Sequence, residues 1–456
     1  MIISKYTCIV PIGNTQYFLN TFNSALIELD GETFQKITAV MGGEDVDEVF
    51  SAQEKGLLCS EGFLIEPEED LRRILAVKMG YHFSKYKSTT VLKIDIGVTD
   101  KCNFVCPYCF ENGNKNSDNF PMGKYTQTEF FSEIRSYISD CAKSGTKEVQ
   151  VVWYGGEPSL ELEFICFANK KLLQDSLKYG FKYSNIIIII TNGYALEEKF
   201  IKVLETQNVS YVQITLDGLK DTHNSRRNTL PKADSFNAIL KNIDLLIARS
   251  VEVVIRINID STNYTEIPQL LFFLHSRFGS DVVGRLLFVS FGRVFGSVSS
   301  LGHFDYESVY HDVYTTAAKL GLISPNFEET EVGAFCGAET SNSDIVVDFK
   351  GNIYKCWNDI FDEPLSVGNI YHDKGVDNID KKTRTEMFYL EELSLDNING
   401  GECLTCEFIK YCGGLCPYNR KLIVEGKEEN IFHTQKCKDI VRKRISTHIE
   451  AYLCNL

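Results

Sequence analysis

The feature that most constrains the fold is a regular alternation of strand-like and helix-like segments between residues 91 and 296. Short runs of apolar and β-branched residues are separated by stretches whose apolar residues recur every three to four positions. The predicted strands span residues 91–98, 149–154, 186–191, 212–217, 253–260 and 286–291. Repeated strand-then-helix units favour a parallel sheet with right-handed crossovers. The sequence therefore predicts an α/β fold, with six units forming a partial (β/α)6 barrel of the TIM type.

Unusual sequences follow the ends of these predicted strands. CNFVCPYCF follows the first strand, GGEP the second, TNG the third and Asp217-Gly218 the fourth. In barrels of this kind the reactive groups lie on the loops after the carboxyl ends of the strands. The fifth strand also places Arg256, Asn258 and Asp260 on one face, because side chains alternate along a strand. Such a polar face either binds something polar inside the barrel or meets solvent at its open edge.

The segments on either side of the barrel predict two further domains. Residues 1–85 contain three β-like runs followed by three helical stretches, an order that predicts a winged-helix-like domain. An ordinary N-terminal cap on the barrel is the alternative. The barrel is expected to span residues 86–305. Residues 306–456 begin with a helical linker and continue into a cysteine-rich region of short segments, which predicts a domain held together by metal rather than by a large apolar core.

Composition excludes several function classes. The formal charge of -15 comes without clusters of Lys and Arg, so the chain is not expected to bind nucleic acid. The longest aliphatic run, residues 186–190, is far shorter than the roughly 20 residues of a membrane span. The start of the sequence lacks a secretory signal, so we expect a cytoplasmic protein with no membrane partner. Fifteen cysteines in that compartment are expected to bind metal rather than to form disulfides.

Three of these cysteines form a compact set. Cys102, Cys106 and Cys109 have the spacing C-x3-C-x2-C, and residues 83–101 and 110–129 contain no further Cys or His. A structural zinc site normally closes with four protein ligands. A [4Fe-4S] cluster has four irons to ligate, so three thiolates leave one iron open for another ligand. The spacing favours iron–sulfur, with zinc as the alternative.

CNFVCPYCF resembles the motif of the radical S-adenosylmethionine (radical SAM) family, in which the open iron chelates the amino and carboxylate groups of SAM. The resemblance implies that Tyr108 meets the adenine through its backbone, that Glu157 accepts from the SAM ammonium, and that Arg227 binds the carboxylate. One departure is Asn224 after His223, where relatives usually have Asp. The SAM-binding residues implied in this way are Tyr108, Gly155, Gly156, Glu157, Asn192, Thr215 and Arg227.

The C-terminal cysteines resemble a SPASM domain, which in relatives holds two auxiliary [4Fe-4S] clusters; a zinc ribbon is the alternative. The resemblance implies that the outer cluster is bound by Cys403, Cys406, Cys412 and Cys437. It also implies that Cys336, Cys356 and Cys416 bind the inner cluster, again with three thiols. The residues EVGAF before Cys336 contain no fourth cysteine, so this cluster has either an open iron for a substrate thiolate or a distant ligand such as Cys454.

The family resemblance implies a function for the whole chain. Such an enzyme uses three [4Fe-4S] clusters and SAM, which it cleaves reductively to a 5'-deoxyadenosyl radical, with flavodoxin or ferredoxin as a reducing partner. The N-terminal domain resembles the element that captures the leader of a ribosomal precursor peptide as an added strand. Together with an open inner cluster, this favours a thioether-forming maturase of the sactipeptide or ranthipeptide type.

Three other functions stay open. Anaerobic sulfatase-maturating enzymes share the architecture, but they have an Asp that acts as general base directly after the Cys of the GX4C element. This chain has Trp357 at that position. Asp359 is close in sequence, although it is two residues away from that position. The others are carbon–carbon crosslinking of a peptide and a non-enzymatic role as an electron carrier or zinc adaptor, which would have no use for GGEP or Arg227.

Overall fold

The computed structural model describes residues 1–86, 90–113, 127–198, 201, 204, 209–229, 233–294, 305–323, 336–340, 343–372, 394–426, 431 and 434–454. The chain divides into two compact units. We call Ser88–Ser324 with Ser341–Phe388 the sheet unit. We call Met1–Lys87, Pro325–Thr340 and Tyr389–Leu456 the cysteine-rich unit. The three-domain organisation stays a prediction. The cysteine-rich unit contains both the N-terminal and the C-terminal segments of the chain.

The strands are numbered in chain order. Within the described residues they are β1 (Ile2–Ile3), β2 (Thr7–Ile12), β3 (Thr15–Asn20), β4 (Leu26–Leu29), β5 (Leu64–Ile65), β6 (Val91–Gly97), β7 (Glu148–Tyr154), β8 (Lys182–Thr191), β9 (Val209–Thr215), β10 (Glu252–Ile259), β11 (Leu287–Arg293), β12 (Asp344–Asp348), β13 (Asn352–Tyr354) and β14 (Gly368–Asn369).

The α-helices follow the same order. Within the described residues they are α1 (Gly31–Met41), α2 (Val46–Val49), α3 (Ala52–Ser60), α4 (Pro67–Tyr86), α5 (Gln127–Lys143), α6 (Leu162–Tyr179), α7 (Lys220–Arg226), α8 (Ser235–Ala248), α9 (Ile267–Phe278), α10 (Tyr306–Lys319), α11 (Gly337–Thr340), α12 (Ile409–Cys412), α13 (Pro417–Val424) and α14 (Gln435–Leu453). None of these described helices has both the length and the apolar composition that crossing a bilayer requires.

The sheet unit is built on one open sheet with the strand order β11-β10-β9-β8-β7-β6-β12-β13-β14. Strands β6 to β11 lie side by side in sequence order, and each neighbouring pair is parallel. These are the six strands that the sequence predicts, so the α/β fold built on parallel strands is confirmed. Because parallel strands share one carboxyl edge, the loops after them converge on one side of the sheet.

The sequence did not predict the extension of this sheet beyond β6. Strand β12 pairs parallel with β6, with Ile94 opposite Ile345, and β13 and β14 continue the sheet in antiparallel fashion. Residues 341–372 were expected to lie in a cysteine-rich domain. Their apolar run DIVVD instead joins the sheet, because its buried side chains complete the core at that edge.

The two faces of β10 explain where the core lies. Val253, Ile255, Ile257 and Ile259 are fully buried in the main apolar cluster, which also includes residues of α8 and α9. The alternating positions are partly exposed and include Arg256 and Asn258. The guanidinium of Arg256 donates to the Phe291 carbonyl at 2.8 Å and to Asn258 Oδ1 at 3.3 Å. The predicted polar face is therefore present, and its residues bond to each other and to β11.

The cysteine-rich unit begins with the elements predicted for the N-terminal segment. An antiparallel sheet of order β2-β3-β4 precedes α1, α2 and α3, and β1 pairs with β5. Asp30 caps α1, and Ser51 with Glu54 forms a capping box on α3. The winged-helix-like identity of this segment stays a prediction.

One apolar core joins the N-terminal sheet to the C-terminal helix. It consists of Cys8, Val10, Leu19, Phe408, Val441, Ile445 and Ile449. Apart from Cys356, the C-terminal cysteines therefore lie in a unit that has its own apolar packing, and the prediction of a domain held together by metal stays untested. This packing can position the thiols before any cluster is bound.

Candidate functional site

Loops that follow neighbouring strands meet at the carboxyl edge of the sheet. In the loop after β7, the amide of Glu157 donates to the Lys101 carbonyl at 2.8 Å. The Glu157 carboxylate accepts from the Thr191 hydroxyl and from the Asn192 amide, the latter at 2.6 Å. Asn192 Nδ2 donates to Asn103 Oδ1 at 2.7 Å. The structure thus joins the loops after β6, β7 and β8, which carry three of the predicted motifs.

Gly155 and Gly156 are needed for this contact between loops. Gly155 has a φ of +100°, and a Cβ there would lie 2.6 Å from the Thr99 carbonyl oxygen. A Cβ on Gly156 would lie 2.8 Å from the carbonyl carbon of Asp100. Only glycine lets the two backbones approach so closely. The close approach in the structure is to the chain's own backbone, and an approach of these glycines to SAM stays a prediction.

Glu157 is a buried residue whose hydrogen bonds connect the loops. Its side chain is 1% exposed, and burial raises the pKa of its carboxyl group, against hydrogen bonds from Ser159, Thr191 and Asn192. The Ser159 amide donates to Oε1 at 2.9 Å. A carboxylate has about four acceptor sites, and the described residues fill two at Oε1 and one at Oε2, where Asn192 donates. A bond between this carboxylate and the SAM ammonium stays a prediction.

The cysteines of CNFVCPYCF lie in the loop directly after β6. Cys102 Sγ accepts from the backbone amide two residues later at 3.4 Å, and the Cys109 amide donates to the Cys106 carbonyl at 3.1 Å. The Val105 amide donates to the Asn228 carbonyl at 2.9 Å, which connects this loop to the segment after α7. Cys106 is buried, and Cys102 and Cys109 are half-buried. The loop is therefore fixed on both sides and presents its thiols at the carboxyl edge.

A network of charged and polar side chains lies beside this loop. We call Tyr108, Asp217, Arg226, Arg227 and Asp260 the rim network. The Tyr108 hydroxyl donates to Asp217 and accepts from Arg227 at 2.6 Å. Arg226 donates to both oxygens of Asp260 at 2.9 Å, and its Nε lies 3.7 Å from Asp217. Burial, only partly opposed by Arg227, holds the pKa of Tyr108 well above its usual value, so the phenol stays neutral and donates to the carboxylate.

Three buried donors in this region have no hydrogen-bond partner among the described residues. They are Arg226 Nε, Arg227 Nε and His223 Nε2. Burial first, and then the charges of Arg227 and Arg226, lower the pKa of His223 to about 3, so its imidazole is neutral. A buried unsatisfied donor costs about 1–3 kcal/mol, which a polar ligand would recover. The charge of Cys106 also acts on Arg227, so this arginine lies beside the predicted cluster loop.

The predicted SAM-binding residues are thus gathered on two sides of the Cys102 loop. The GGEP glycines, Glu157 and Asn192 lie on one side, and Tyr108 and Arg227 on the other. Thr215 is buried at the end of β9, two residues before Asp217.

Sequence reasoning gave no role to Arg226, and it named Asp217 and Asp260 only as polar residues. A signal was available for the two acids, because each follows a neighbouring parallel strand. Acids at adjacent strand ends need a cation between them, and Arg226 provides it.

Sequence reasoning also missed an acid on the inner side of β6. The Trp357 indole donates to Asp95 Oδ2, and its ring centroid lies 5.3 Å from that of Tyr154. Asp95 is 3% exposed, and burial raises its pKa to about 6. Asp359, two residues beyond Trp357, is buried as well. The residue after Cys356 is therefore an indole that contacts an acid from β6, and no sequence pattern signals this pairing.

The four cysteines predicted for the outer cluster lie together in the cysteine-rich unit. Burial, together with the charges of Cys412 and Cys437, raises the pKa of Cys403 to about 11. Burial likewise raises the pKa of Cys406 to about 12, with a contribution from Cys412. The thiols are therefore within electrostatic reach of one another. Thiolates in such surroundings need a bound cation, and the donor set fits an iron–sulfur cluster.

The three cysteines predicted for the inner cluster are divided between the units. Cys336 and Cys416 belong to the cysteine-rich unit, where burial and then the charge of Cys416 raise the pKa of Cys336. Cys356 belongs to the sheet unit, directly after β13 and Lys355. Cys454 is exposed at the end of α14, about 25 Å farther along the helix axis than Cys437 at 1.5 Å per residue.

Clusters and single ions require different ligand arrangements. In the part of the chain that the structure describes, no three His, Cys, Asp or Glu side chains are grouped to hold one metal ion. The ligands of a [4Fe-4S] cube bind separate irons, so their sulfur atoms need not converge on one point. The lack of a single-ion site among the described residues therefore does not argue against a cluster at these cysteines.

Comparison with known families identifies the central part of the chain. The family described as the Radical SAM superfamily matches residues 96–274. This stretch begins in β6 and ends in α9, so it contains the three cysteines of CNFVCPYCF and every predicted SAM-binding residue. The rim network and the strands β7 to β10 therefore belong to the matched region.

Similar proteins cover more of the chain. The cysteine-type anaerobic sulfatase-maturating enzyme of Clostridium novyi (strain NT) is 24% identical over 383 residues, 76% of this chain and 93% of that one. The structure of native anSMEcpe with bound AdoMet and Cp18Cys peptide is 19% identical with a TM-score of 0.58, covering 80% of this chain and 99% of that one. Streptococcus suis SuiB bound to S-adenosylmethionine is 15% identical with a TM-score of 0.50, covering 94% and 97%. These structures share the fold of this chain.

Proposed function

Since residues 96–274 form a radical SAM domain, we propose that the chain is a peptide maturase that joins cysteine sulfur to carbon within a ribosomally made precursor peptide. The observation that carries the proposal is the N-terminal sheet, in which β4 is an edge strand among the described residues. An edge strand offers unpaired backbone groups to an extended peptide. A leader added at this edge would be held by the same compact unit that contains most of the C-terminal cysteines.

The extent of the similarity supports a peptide-recognition segment. The likeness to SuiB extends over 94% of this chain, whereas the likeness to anSMEcpe extends over 80%. The difference is about 64 residues, which is smaller than the N-terminal segment that ends with α4 at Tyr86.

The contacts of Trp357 also support the thioether function over sulfatase maturation. The indole after Cys356 cannot act as a general base, because its nitrogen has a proton to donate and no basic lone pair. That proton is already donated to Asp95. Sulfatase maturation stays the second candidate, because the Clostridium novyi enzyme named above aligns over 93% of its length. A carbon–carbon crosslink is the third.

The chain would hold SAM and three clusters with the residues predicted from its sequence. When bound, the first cluster and SAM supply a 5'-deoxyadenosyl radical that removes a hydrogen atom from the substrate. Arg227 would bind the SAM carboxylate, since its Nε lacks a hydrogen-bond partner among the described residues. The cluster ligands would be Cys102, Cys106 and Cys109.

The auxiliary clusters would use the C-terminal cysteines. The outer cluster would have four thiolates, and the inner one would have Cys336, Cys356 and Cys416 with an iron open to a substrate thiolate. A flavodoxin or ferredoxin would supply electrons in the cytoplasm. Iron content is the direct check, since three cubes require about twelve irons per chain.

Co-expression with a short cysteine-rich precursor peptide tests the function. We expect a mass loss of two hydrogens and a cysteine that no longer reacts with an alkylating reagent, both measured by mass spectrometry. A peptide without its leader should be modified much less, whereas SAM cleavage continues. Conversion of a sulfatase-type cysteine to formylglycine would favour the second candidate. A mass loss with every cysteine still alkylated would favour the carbon–carbon crosslink.

A further inference from the structure

A fully buried ion pair lies in the cysteine-rich unit. Arg420 is 0% and Glu339 3% exposed, and the guanidinium contacts both carboxylate oxygens, with 3.3 Å between Nη1 and Oε1. The Tyr81 hydroxyl also donates to Glu339, and it accepts from the Leu395 amide at 3.0 Å. We call Tyr81, Glu339 and Arg420 the buried triad. Taking two charges out of water costs several kcal/mol per ion, so the triad is poorly explained by stability alone.

The triad acts electrostatically on cysteines that are predicted to be cluster ligands. The charge of Arg420 lowers the pKa of Cys336, Cys403 and Cys412, in opposition to burial, which raises each of them. Glu339 acts on Cys336 in the other direction. The Tyr81 ring belongs to the same apolar cluster as Cys403. Both charges of the triad are therefore felt by thiols that are predicted to bind the auxiliary clusters.

Charges buried beside an iron–sulfur cluster act on its reduction potential. Reduction adds a negative charge, so a nearby cation stabilises the reduced cluster and a nearby anion destabilises it. In the triad the two charges nearly cancel, and the hydroxyl of Tyr81 holds the carboxylate in place. We infer that the Arg420–Glu339 pair, positioned by Tyr81, sets the reduction potential of the outer auxiliary cluster, which Cys403 and Cys412 are predicted to bind. This inference rests on the proposed function for the presence of that cluster.

The proposed reaction explains why the potential matters. Forming a thioether from a C–H and an S–H bond would send the hydrogen atom to the 5'-deoxyadenosyl radical, giving 5'-deoxyadenosine, and the thiol proton to water. Joining the thiolate to the carbon radical would then release one electron, and an oxidised auxiliary iron–sulfur cluster would accept it. The potential of that cluster decides how readily the electron leaves the product. Tyr81, Glu339 and Arg420 are thus positioning residues and do not touch the substrate.

An EPR-monitored redox titration of the anaerobically reconstituted holoenzyme tests the inference. Glu339→Gln leaves a buried cation and should raise the auxiliary potential. Arg420→Met leaves a buried anion and should lower it, while the double variant should stay close to the wild type. Tyr81→Phe should give a smaller downward shift, because Glu339 loses one of its donors. Asp47→Asn, in an exposed pair with Lys55 of the same unit, is the matched control and should cause no shift.

Opposite shifts separate electrostatic tuning from a purely structural role, which would move both single variants in the same direction or neither. Either of those results at wild-type iron content would overturn the inference. If Arg420→Met loses iron, the double variant takes its place: a wild-type potential supports the inference, and loss of iron there also overturns it. Wild-type holoenzyme with only about four irons would overturn it too. The potential is measured without peptide, so the mass-spectrometric test of thioether formation fails or succeeds independently.

Discussion

The rim network and the buried triad use the same kinds of side chain for different ends. Each combines arginine, a carboxylate and a tyrosine hydroxyl, and each lies beside cysteines predicted to bind a cluster. In the rim network, Arg227 bonds only to the Tyr108 hydroxyl among the described residues, and its Nε stays unpartnered. In the buried triad, Arg420 faces a carboxylate that also accepts from Tyr81.

The difference lies in where the arginine charge is used. At the rim, two arginines face two carboxylates, but Arg227 reaches Asp217 only through the Tyr108 hydroxyl, so its guanidinium can still bond directly to a ligand carboxylate. In the triad, Arg420 and Glu339 compensate each other, so their net field at the neighbouring thiols is small and adjustable. An arginine that bonds no carboxylate directly is suited to binding a ligand anion, and an arginine already paired with a carboxylate is suited to tuning.

Removing the two cysteine sets should have the largest effects, on iron content and on SAM cleavage, and these effects should differ between the two regions. Replacing Cys102, Cys106 and Cys109 by Ala should remove about four irons and abolish production of 5'-deoxyadenosine. Replacing Cys403, Cys406, Cys412 and Cys437 should remove a similar amount of iron, yet SAM cleavage should persist, because the rim stays intact. Iron analysis and chromatography of 5'-deoxyadenosine measure both effects. Cys59→Ala, at an exposed position, is the control.

Continued production of 5'-deoxyadenosine in the first variant would refute the assignment of the rim as the SAM site. Abolition in both variants would mean that the two regions are not separable in function.

Stability should distinguish the two arginines next. Arg420→Met leaves Glu339 buried without its cation, and breaking a buried pair in this way costs about 3–5 kcal/mol. Arg227→Met should lower the free energy of unfolding by only about 1–2 kcal/mol, since the lost contacts are one hydrogen bond to a phenol and the cation–π contact with the Phe104 ring. Urea denaturation of the anaerobic proteins measures both. Arg249→Met, in a half-exposed pair with Glu198, should change little. Equal losses in the first two variants would show that Arg227 is as fully paired as Arg420.

Affinity for SAM should show the reverse order. Arg227→Met should weaken binding about 10–100-fold, the range expected for losing a charged hydrogen bond to a carboxylate. Arg227→Lys should lose less, because it keeps the charge without the planar fork. Arg420→Lys, which keeps the charge of the triad, should bind SAM as the wild type does. Equilibrium dialysis with labelled SAM measures these affinities. An unchanged affinity in Arg227→Met would exclude this residue from the SAM site.

The sequence was sufficient where the structural signal is local. The period of apolar residues predicts β6 to β11, and the spacing of Cys102, Cys106 and Cys109 after β6 predicts where the site lies. The same reasoning places GGEP and TNG at the edge where the structure has them. These features need only a few consecutive residues, so their pattern survives in a single sequence.

The sequence was insufficient where partners are far apart along the chain. The bond from Trp357 to Asp95 spans 262 positions, and that from Tyr81 to Glu339 spans 258. No period or motif connects such residues, because their proximity depends on how the units fold. Strand β12 was missed for the same reason, since its partner is β6. Tertiary contacts therefore supply both the pairing of Trp357 with Asp95 and the whole buried triad.

Lowering the pH should lower the free energy of unfolding through His223, which lies beside the rim network. The buried triad contains no histidine. Burial first, and then Arg227 and Arg226, lower the folded pKa of His223 to about 3, with Asp234 opposing, whereas an unfolded His titrates near 6.5. Between these values the unfolded chain binds a proton that the folded chain does not, so stability falls as the pH is lowered. At about 1.4 kcal/mol per pH unit for one proton, lowering the pH from 6.5 to 5 should lower the free energy of unfolding by about 1–2 kcal/mol.

His223→Gln cannot titrate, so it should not show this loss. Relative to the wild type, its free energy of unfolding should therefore be about 1–2 kcal/mol higher at pH 5 than at pH 7, as measured by urea denaturation. His372→Gln, at an exposed position, is the control. A gap between wild type and His223→Gln that is the same at both pH values would mean that the folded imidazole accepts a proton, and the rim would then carry one more positive charge for its ligand.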